Sequence, residues 1–201
     1  RVVARSFPSR PTSPVQPVVR PADRATVGYQ GLVRVRGATG DPAAPWTLFA
    51  GELEVPGLVQ LDRLCRTLHA VNFFPAGGAG SLFLNVDSRL LTGVGADHGS
   101  YFEAILALLG VRPDRVVIVM PADAVDNPVA FVRSAISYRV RGFRVLVPLA
   151  AGDGDLSHLF LADPHYVSVD FPEAIEREPR SLVGALRARG IRPVGRRIEG
   201  E

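Results

Sequence analysis

The sequence predicts an α/β fold of alternating strands and helices. Three observations carry this: short β-branched runs, helices of three- and four-residue apolar spacing between them, and glycine or Asn-Pro punctuation at the helix ends. The runs VQPVV, VGYQGLVRV, SLFLNV, RVVIVM, FRVLVPL and YVSV read as strands. Their nearly unbroken apolar character suits strands covered on both faces.

Between the second and third of these runs, Leu58, Leu61, Leu64, Cys65, Leu68 and Val71 mark one face of a helix, so Cys65 reads as a core residue, not a nucleophile. A second helix is expected from Ser100 to Leu109, stopped by Gly110. A third opens at Asn127-Pro128, an N-cap with proline in the first turn, and a fourth spans Ser181 to Arg189, closed by Gly190. Strands joined through such helices imply right-handed crossovers and a mostly parallel sheet, either closed as a (β/α) barrel or open and doubly wound.

Residues 1–14 carry Pro8, Pro11 and Pro14 among serines and arginines, and read as a linker or loose leader before a domain over 15–201. The 201 residues are 47% hydrophobic and 21% charged, enough for a core of ordinary size. No run reaches the ~18 apolar residues of a membrane span, and the start lacks a signal-peptide core, so a cytoplasmic protein without membrane insertion is expected. The single cysteine, Cys65, offers neither a disulfide nor a cysteine metal site. All 23 basic residues are arginines, dispersed near acidic partners with a formal charge of +3, which argues against DNA or RNA binding.

Metal-assisted hydrolysis needs several carboxylates at strand ends, because hard divalent cations take oxygen ligands. The fourth run passes through VVIVMPA into Asp123 and the fifth ends VLVPLAAG, so hydrocarbon stands where a barrel would place its chemistry. His69, His98, His158 and His165 have no paired metal-ligand spacing. Gly152-Asp153-Gly154-Asp155 lacks the later ligands of a calcium loop and reads as a solvated turn. The glycines Gly77, Gly78 and Gly80 precede a strand, not a helix, and read as a flexible loop instead of a phosphate cradle. No Gly-x-Ser-x-Gly elbow accompanies Asp97-His98.

The order of segments carries a resemblance. QPVVRPADRATVGYQGLVRVRG, then Pro45 to Phe49, GLVQLDRLCRTL, SLFLNVD, GVRPDRVVIVMP, RGFRVLVPL, YVSVD and RGIRPVGRRIEGE resemble, in sequence order, the EAL family of cyclic di-GMP phosphodiesterases. The resemblance runs from about Val15 to the end and implies a TIM-like (β/α) barrel with an antiparallel first strand. Carried over residue by residue, the signature glutamate falls on Gln30 in Tyr29-Gln30-Gly31-Leu32, and the third-strand asparagine is kept as Asn85. The fourth-strand glutamate falls on Val119 and its Thr-Glu companion on Pro121 and Ala122. The Asp-Asp pair falls on about Pro148 and Leu149, and the Lys-Ile-Asp lysine on Ser168 with its acid kept as Asp170. The Glu-Gly-Val-Glu motif reads Arg196-Arg197-Ile198-Glu199. The family's last strand, with its Gln-Gly motif, has no counterpart up to Glu201, so either the barrel is incomplete at its C-terminus or a further C-terminal part belongs to it; an unclosed barrel would leave an open edge for a partner to cover.

The resemblance implies a catalytically inactive cyclic di-GMP receptor in bacterial signalling, needing no metal or other cofactor. Its candidate ligand residues are Gln16, Gln30, Leu32, Arg34, Asn85, Asp170 and Glu199. Gln16, Arg34 and Asn85 could equally be a barrel-interior amide, a salt-bridging arginine and a strand-end cap. The alternative is an adaptor that has lost the nucleotide and acts through a protein partner or a homodimer. An active phosphodiesterase would need carboxylates from elsewhere.

Overall fold

The computed structural model describes residues 10–20, 23–36, 42–43, 54–93, 99–122, 127–149, 157–170 and 180–196. In chain order the strands are β1 (Arg10–Thr12), β2 (Val15–Val19), β3 (Thr26–Gly31), β4 (Arg34–Arg36), β5 (Pro42–Ala43), β6 (Ser81–Asn85), β7 (Val116–Val119), β8 (Arg144–Pro148), β9 (Tyr166–Asp170) and β10 (Arg192–Arg196). The helices are α1 (Val55–Phe73), α2 (Ser88–Gly93), α3 (Ser100–Leu108), α4 (Pro128–Val140), α5 (Ser157–Ala162) and α6 (Arg180–Ala188), with a 3-10 turn at Pro113–Arg115. Among the described residues, no helix is long and apolar enough to cross a membrane.

Seven strands close a ring in the order β10-β2-β3-β6-β7-β8-β9. All are parallel except β2, which runs against both neighbours, so of the two arrangements left open by periodicity the chain adopts the barrel with a reversed first strand. Among the described residues no strand of the ring is left without a neighbour on either side. There β10 pairs with β2 at Gly195↔Val19 and with β9 all along Arg192–Arg196. The run VGYQGLVRV, expected as one strand, divides: β3 stays in the barrel, while β4 leaves it to join β1 and β5 in a small antiparallel sheet. Arg10–Thr12, read from sequence as part of the leader, thereby become β1, while residues 1–9 lie outside the described residues.

Strand alternation divides the apolar residues into two cores. Val18, Phe83, Val117, Val119, Leu146, Tyr166 and Val194 fill the barrel, with Phe83 and Tyr166 meeting at 5.7 Å in an edge-on contact. Their neighbours Leu82, Leu84, Val116, Ile118, Met120, Val145, Val147, Leu149 and Val167 face outward and pack against Leu58, Phe73, Leu106, Phe131 and Leu186 of the helices. Both faces of β6, β7 and β8 are therefore dry, which is why those segments read as runs instead of alternation, whereas Val15, Gln16 and Pro17 of β2 are exposed.

The helix ends follow their local chemistry. Asn127 Oδ1 accepts from the Ala130 backbone N–H at 3.1 Å, and Pro128 starts α4 where no intrahelical donor is lost. Gly110 and Gly190 take left-handed backbone (φ 66° and 74°) just beyond α3 and α6. The glycine loop before β6 is pinned, not loose: Arg115 donates to the Gly80 and Gly78 carbonyls at 2.9 and 3.0 Å. In α1 the expected Leu58, Leu61, Cys65 and Leu68 are buried, Leu64 is only half-buried, and Asp62, Arg66 and His69 are buried beside them.

Candidate functional site

The C-terminal ends of the parallel strands form one rim of the barrel, where this architecture places ligands. Reversal of β2 brings its first residues to the same rim, so Gln16 stands in register with Gln30. Gln30 Nε2 donates to Asn85 Oδ1 at 2.9 Å, linking the ends of β3 and β6. Next along the rim Asn85 pairs with Val119, and beyond it Pro148 pairs with Ser168. Val119, Pro148 and Ser168 are all buried.

Leu149 does not join them. Sequence alignment placed it with Pro148 at the barrel mouth, but alternation turns it outward into the helix-packed core. Its backbone N–H donates to the Ser168 carbonyl at 2.9 Å. Ser168 Oγ is fully buried and has no hydrogen-bond partner among the described residues. Asp170 ends β9 in register with Arg196, while Glu199 lies outside the described residues, as do Gly152–Asp155 and His98.

Leu32, Arg34 and Asn85 line a cavity of about 270 Å³ between the ends of β3 and β6 and one face of α1. That face supplies Asp62, Cys65, Arg66 and His69, whose three- and four-residue spacing aligns them along the helix. Asp62 and Arg66 form a buried ion pair, and Arg66 Nη1 donates to the Tyr138 hydroxyl at 3.2 Å. The guanidinium also lies over Phe102, 5.8 Å from the ring centre. Its Nε has no partner among the described residues. Burial pushes the Asp62 carboxyl above its ordinary range, with Arg66 pulling the other way.

Burial also lowers His69 to about 4, so its imidazole is neutral at pH 7, and Nδ1 shares a 2.6 Å hydrogen bond with Ser13 Oγ. The Cys65 thiol is pushed up to about 12, again by burial, which leaves it protonated and unreactive. Across the cavity, Arg89 donates to both Asp87 oxygens at 2.9 Å and holds that carboxyl below its usual range. Arg34 is exposed and, among the described residues, donates to the Val33 carbonyl at 3.3 Å instead of forming the salt bridge that would make it structural.

Four of the seven candidates therefore meet around one strand end: Gln30, Leu32, Arg34 and Asn85, with Gln16 beside them in register. Asp62, Arg66 and His69 were missed because their positions look solvent-facing beside the leucine stripe. The Asp62/Arg66 spacing of four residues was the one available signal.

A seven-stranded ring with a reversed first strand and a rim of strand-end side chains defines the EAL-type barrel fold. Among solved structures, the chain is similar to the Bacillus subtilis YkuI protein with an EAL domain, in complex with c-di-GMP and calcium. There the TM-score is 0.73 and the identity 18%, over 94% of this chain and 50% of that one. The Klebsiella pneumoniae BlrP1 calcium/cy-diGMP complex gives 0.72 and 22%, over 96% and 50%. The Xanthomonas citri FimX EAL domain with c-diGMP gives 0.73 and 15%, over 95% and 79%. The chain thus spans about half the length of the first two. No protein-family model matches the sequence, and no curated protein does.

Calcium accompanies the nucleotide in two of those structures. The described side chains of this rim include the neutral amides of Gln16, Gln30 and Asn85 and the Ser168 hydroxyl, set among Val119 and Pro148, while Asp170 ends β9 at the same rim. Among the described residues no three His, Cys, Asp or Glu side chains gather as a ligand set.

Proposed function

We propose that this chain is a signalling domain that binds cyclic di-GMP at the β3–β6 side of the rim and does not hydrolyse it. The observation that carries the reading is the division of the rim. Gln30, Asn85 and Arg34 offer amides and an exposed guanidinium beside the cavity, while hydrocarbon at Val119 and Pro148 occupies positions where a metal-dependent hydrolase would need carboxylates. Arg34 is placed to give charge-assisted hydrogen bonds to a phosphate, Leu32 offers an apolar contact, and the amide pair can exchange its internal hydrogen bond for ones to a base edge.

Calorimetric titration with cyclic di-GMP, in chelator and again in excess magnesium, tests this. Binding unaffected by chelator, weakened at least tenfold by Arg34→Ala and without product formation is expected. Metal-dependent turnover by the purified protein would overturn the non-catalytic part, and absence of heat in both buffers the nucleotide part.

One observation favours the adaptor reading. Between α4 and α5 an apolar groove of about 460 Å³ is lined by Val129, Val132, Ile136 and Leu161 around Arg133, and Val129 is 75% exposed. A protein contact is thus better supported on this helical face than at the barrel seam where the sequence placed it. Light scattering of the wild type against Val129→Ser/Leu161→Ser distinguishes self-association there from a monomer.

A further inference from the structure

We propose that His69 is a positioning residue for the ligand-facing end of β3, and that position 31 is a glycine because the imidazole takes the space its side chain would need. The inference rests on the nucleotide-binding reading for its ligand but not for its geometry. Gly31 lies between Gln30 and Leu32, both candidate ligand residues, and is buried. A Cβ built there would stand 2.7 Å from His69 Cγ and 2.8 Å from Nδ1, closer than van der Waals contact allows. The ring thus fixes how near the end of β3 can approach α1.

The imidazole is itself held. Ser13 Oγ bonds Nδ1 at 2.6 Å, the next residue, Pro14, accepts from the Leu32 backbone N–H at 2.9 Å, and Val15 pairs with Gly31. The short segment Ser13–Val15 therefore ties together the helix, the strand end and the first barrel strand. Thr12, one residue earlier, pairs with Arg34 in the small sheet, so the same segment also sets the position of the cationic side chain. Movement of β1 relative to α1 would be transmitted to Gln30, Leu32 and Arg34 together, because a packed ring and a closed backbone leave no slack.

A double-mutant cycle tests this with two readouts: the dissociation constant for cyclic di-GMP and amide exchange over residues 26–36, each referred to global stability in denaturant. Gly31→Ala is expected to weaken binding about tenfold or more and to speed exchange at Leu32. His69→Ala alone is expected to weaken binding and speed exchange at Leu32 by freeing the strand end, and Gly31→Ala/His69→Ala to lose clearly less than the sum of the two single variants, since the added methyl occupies part of the space the ring leaves. Ser13→Ala, which disturbs no packing, is expected to speed exchange at Leu32 beyond any change in global stability. Wild-type affinity and exchange in Gly31→Ala or in His69→Ala, or losses in the two single variants that simply add in the double, would overturn the proposal. If the wild type binds no cyclic di-GMP, the functional reading fails, and the exchange data alone decide the positioning role. Should Gly31→Ala not fold, Ser13→Ala decides it.

Discussion

The β3–β6 side of the rim and the β7–β8 side are built from equivalent strand ends, yet they carry opposite chemistry. On the first, Gln30 and Asn85 hydrogen-bond to each other above a cavity whose far wall holds a buried ion pair and a neutral histidine. On the second, Val119 and Pro148 extend the inner core up to the mouth, and on the adjoining β9 the buried Ser168 hydroxyl has no partner among the described residues. The difference teaches that the charged groups of this barrel are buried where long-range partners exist to satisfy them. Asp62, Arg66 and Tyr138 come from two helices far apart in sequence, and each needs the others to be tolerable away from water.

Removing one member of the polar side should therefore have the largest effect. Arg66→Ala leaves the Asp62 carboxyl buried without its counter-charge and is expected to cost about 3–5 kcal/mol in denaturant unfolding. Asp62→Leu/Arg66→Met should recover most of it. Next comes acid. His69 titrates near 4 when folded and at an ordinary value when unfolded, so the unfolded chain takes up the proton first. Stability should be level above about pH 6.5 and fall by about 3 kcal/mol as pH drops to 4. In His69→Phe that dependence should flatten, which a pH series of unfolding midpoints would register.

On the apolar side the effects are smaller. Val119→Glu places a carboxylate among Phe83, Val117 and Leu146, and should cost about 2 kcal/mol at pH 7, less at pH 4 where the acid can be neutral. Thermal melts at the two pH values check the sign. Smallest of all, Ser168→Ala removes a buried hydroxyl that bonds to nothing described, and should change stability by no more than about 1 kcal/mol, in the stabilising direction. A loss instead would mean that the hydroxyl has a partner in solution.

The legibility of the fold in the sequence followed the strength of local signals. β2 spans Val15–Val19 as its run predicted, and the Asn127-Pro128 and glycine signals placed helix ends within a residue or two, because caps depend on adjacent atoms. The six-residue helices α2 and α5 are too short to show a period. β10 was visible only through segment order, since RPVGR has one apolar aliphatic residue and owes its extended form to pairing with β9. The candidate site was half legible. Motif order singled out Gln30, Leu32, Arg34 and Asn85, which the fold brings together, whereas the wall formed by Asp62, Arg66 and His69 depends on partners at Ser13 and Tyr138 that no local pattern links to them.

The β10–β2 seam joins parts of the sequence that lie far apart. Bringing Val19 to Gly195 encloses a long loop, whose closure costs chain entropy before the pairing rewards it. Every other seam links strands nearer in sequence or paired over a longer ladder. Closure is therefore expected to come late in folding, and the amides of this seam to exchange before those of β6 and β7 in mild denaturant.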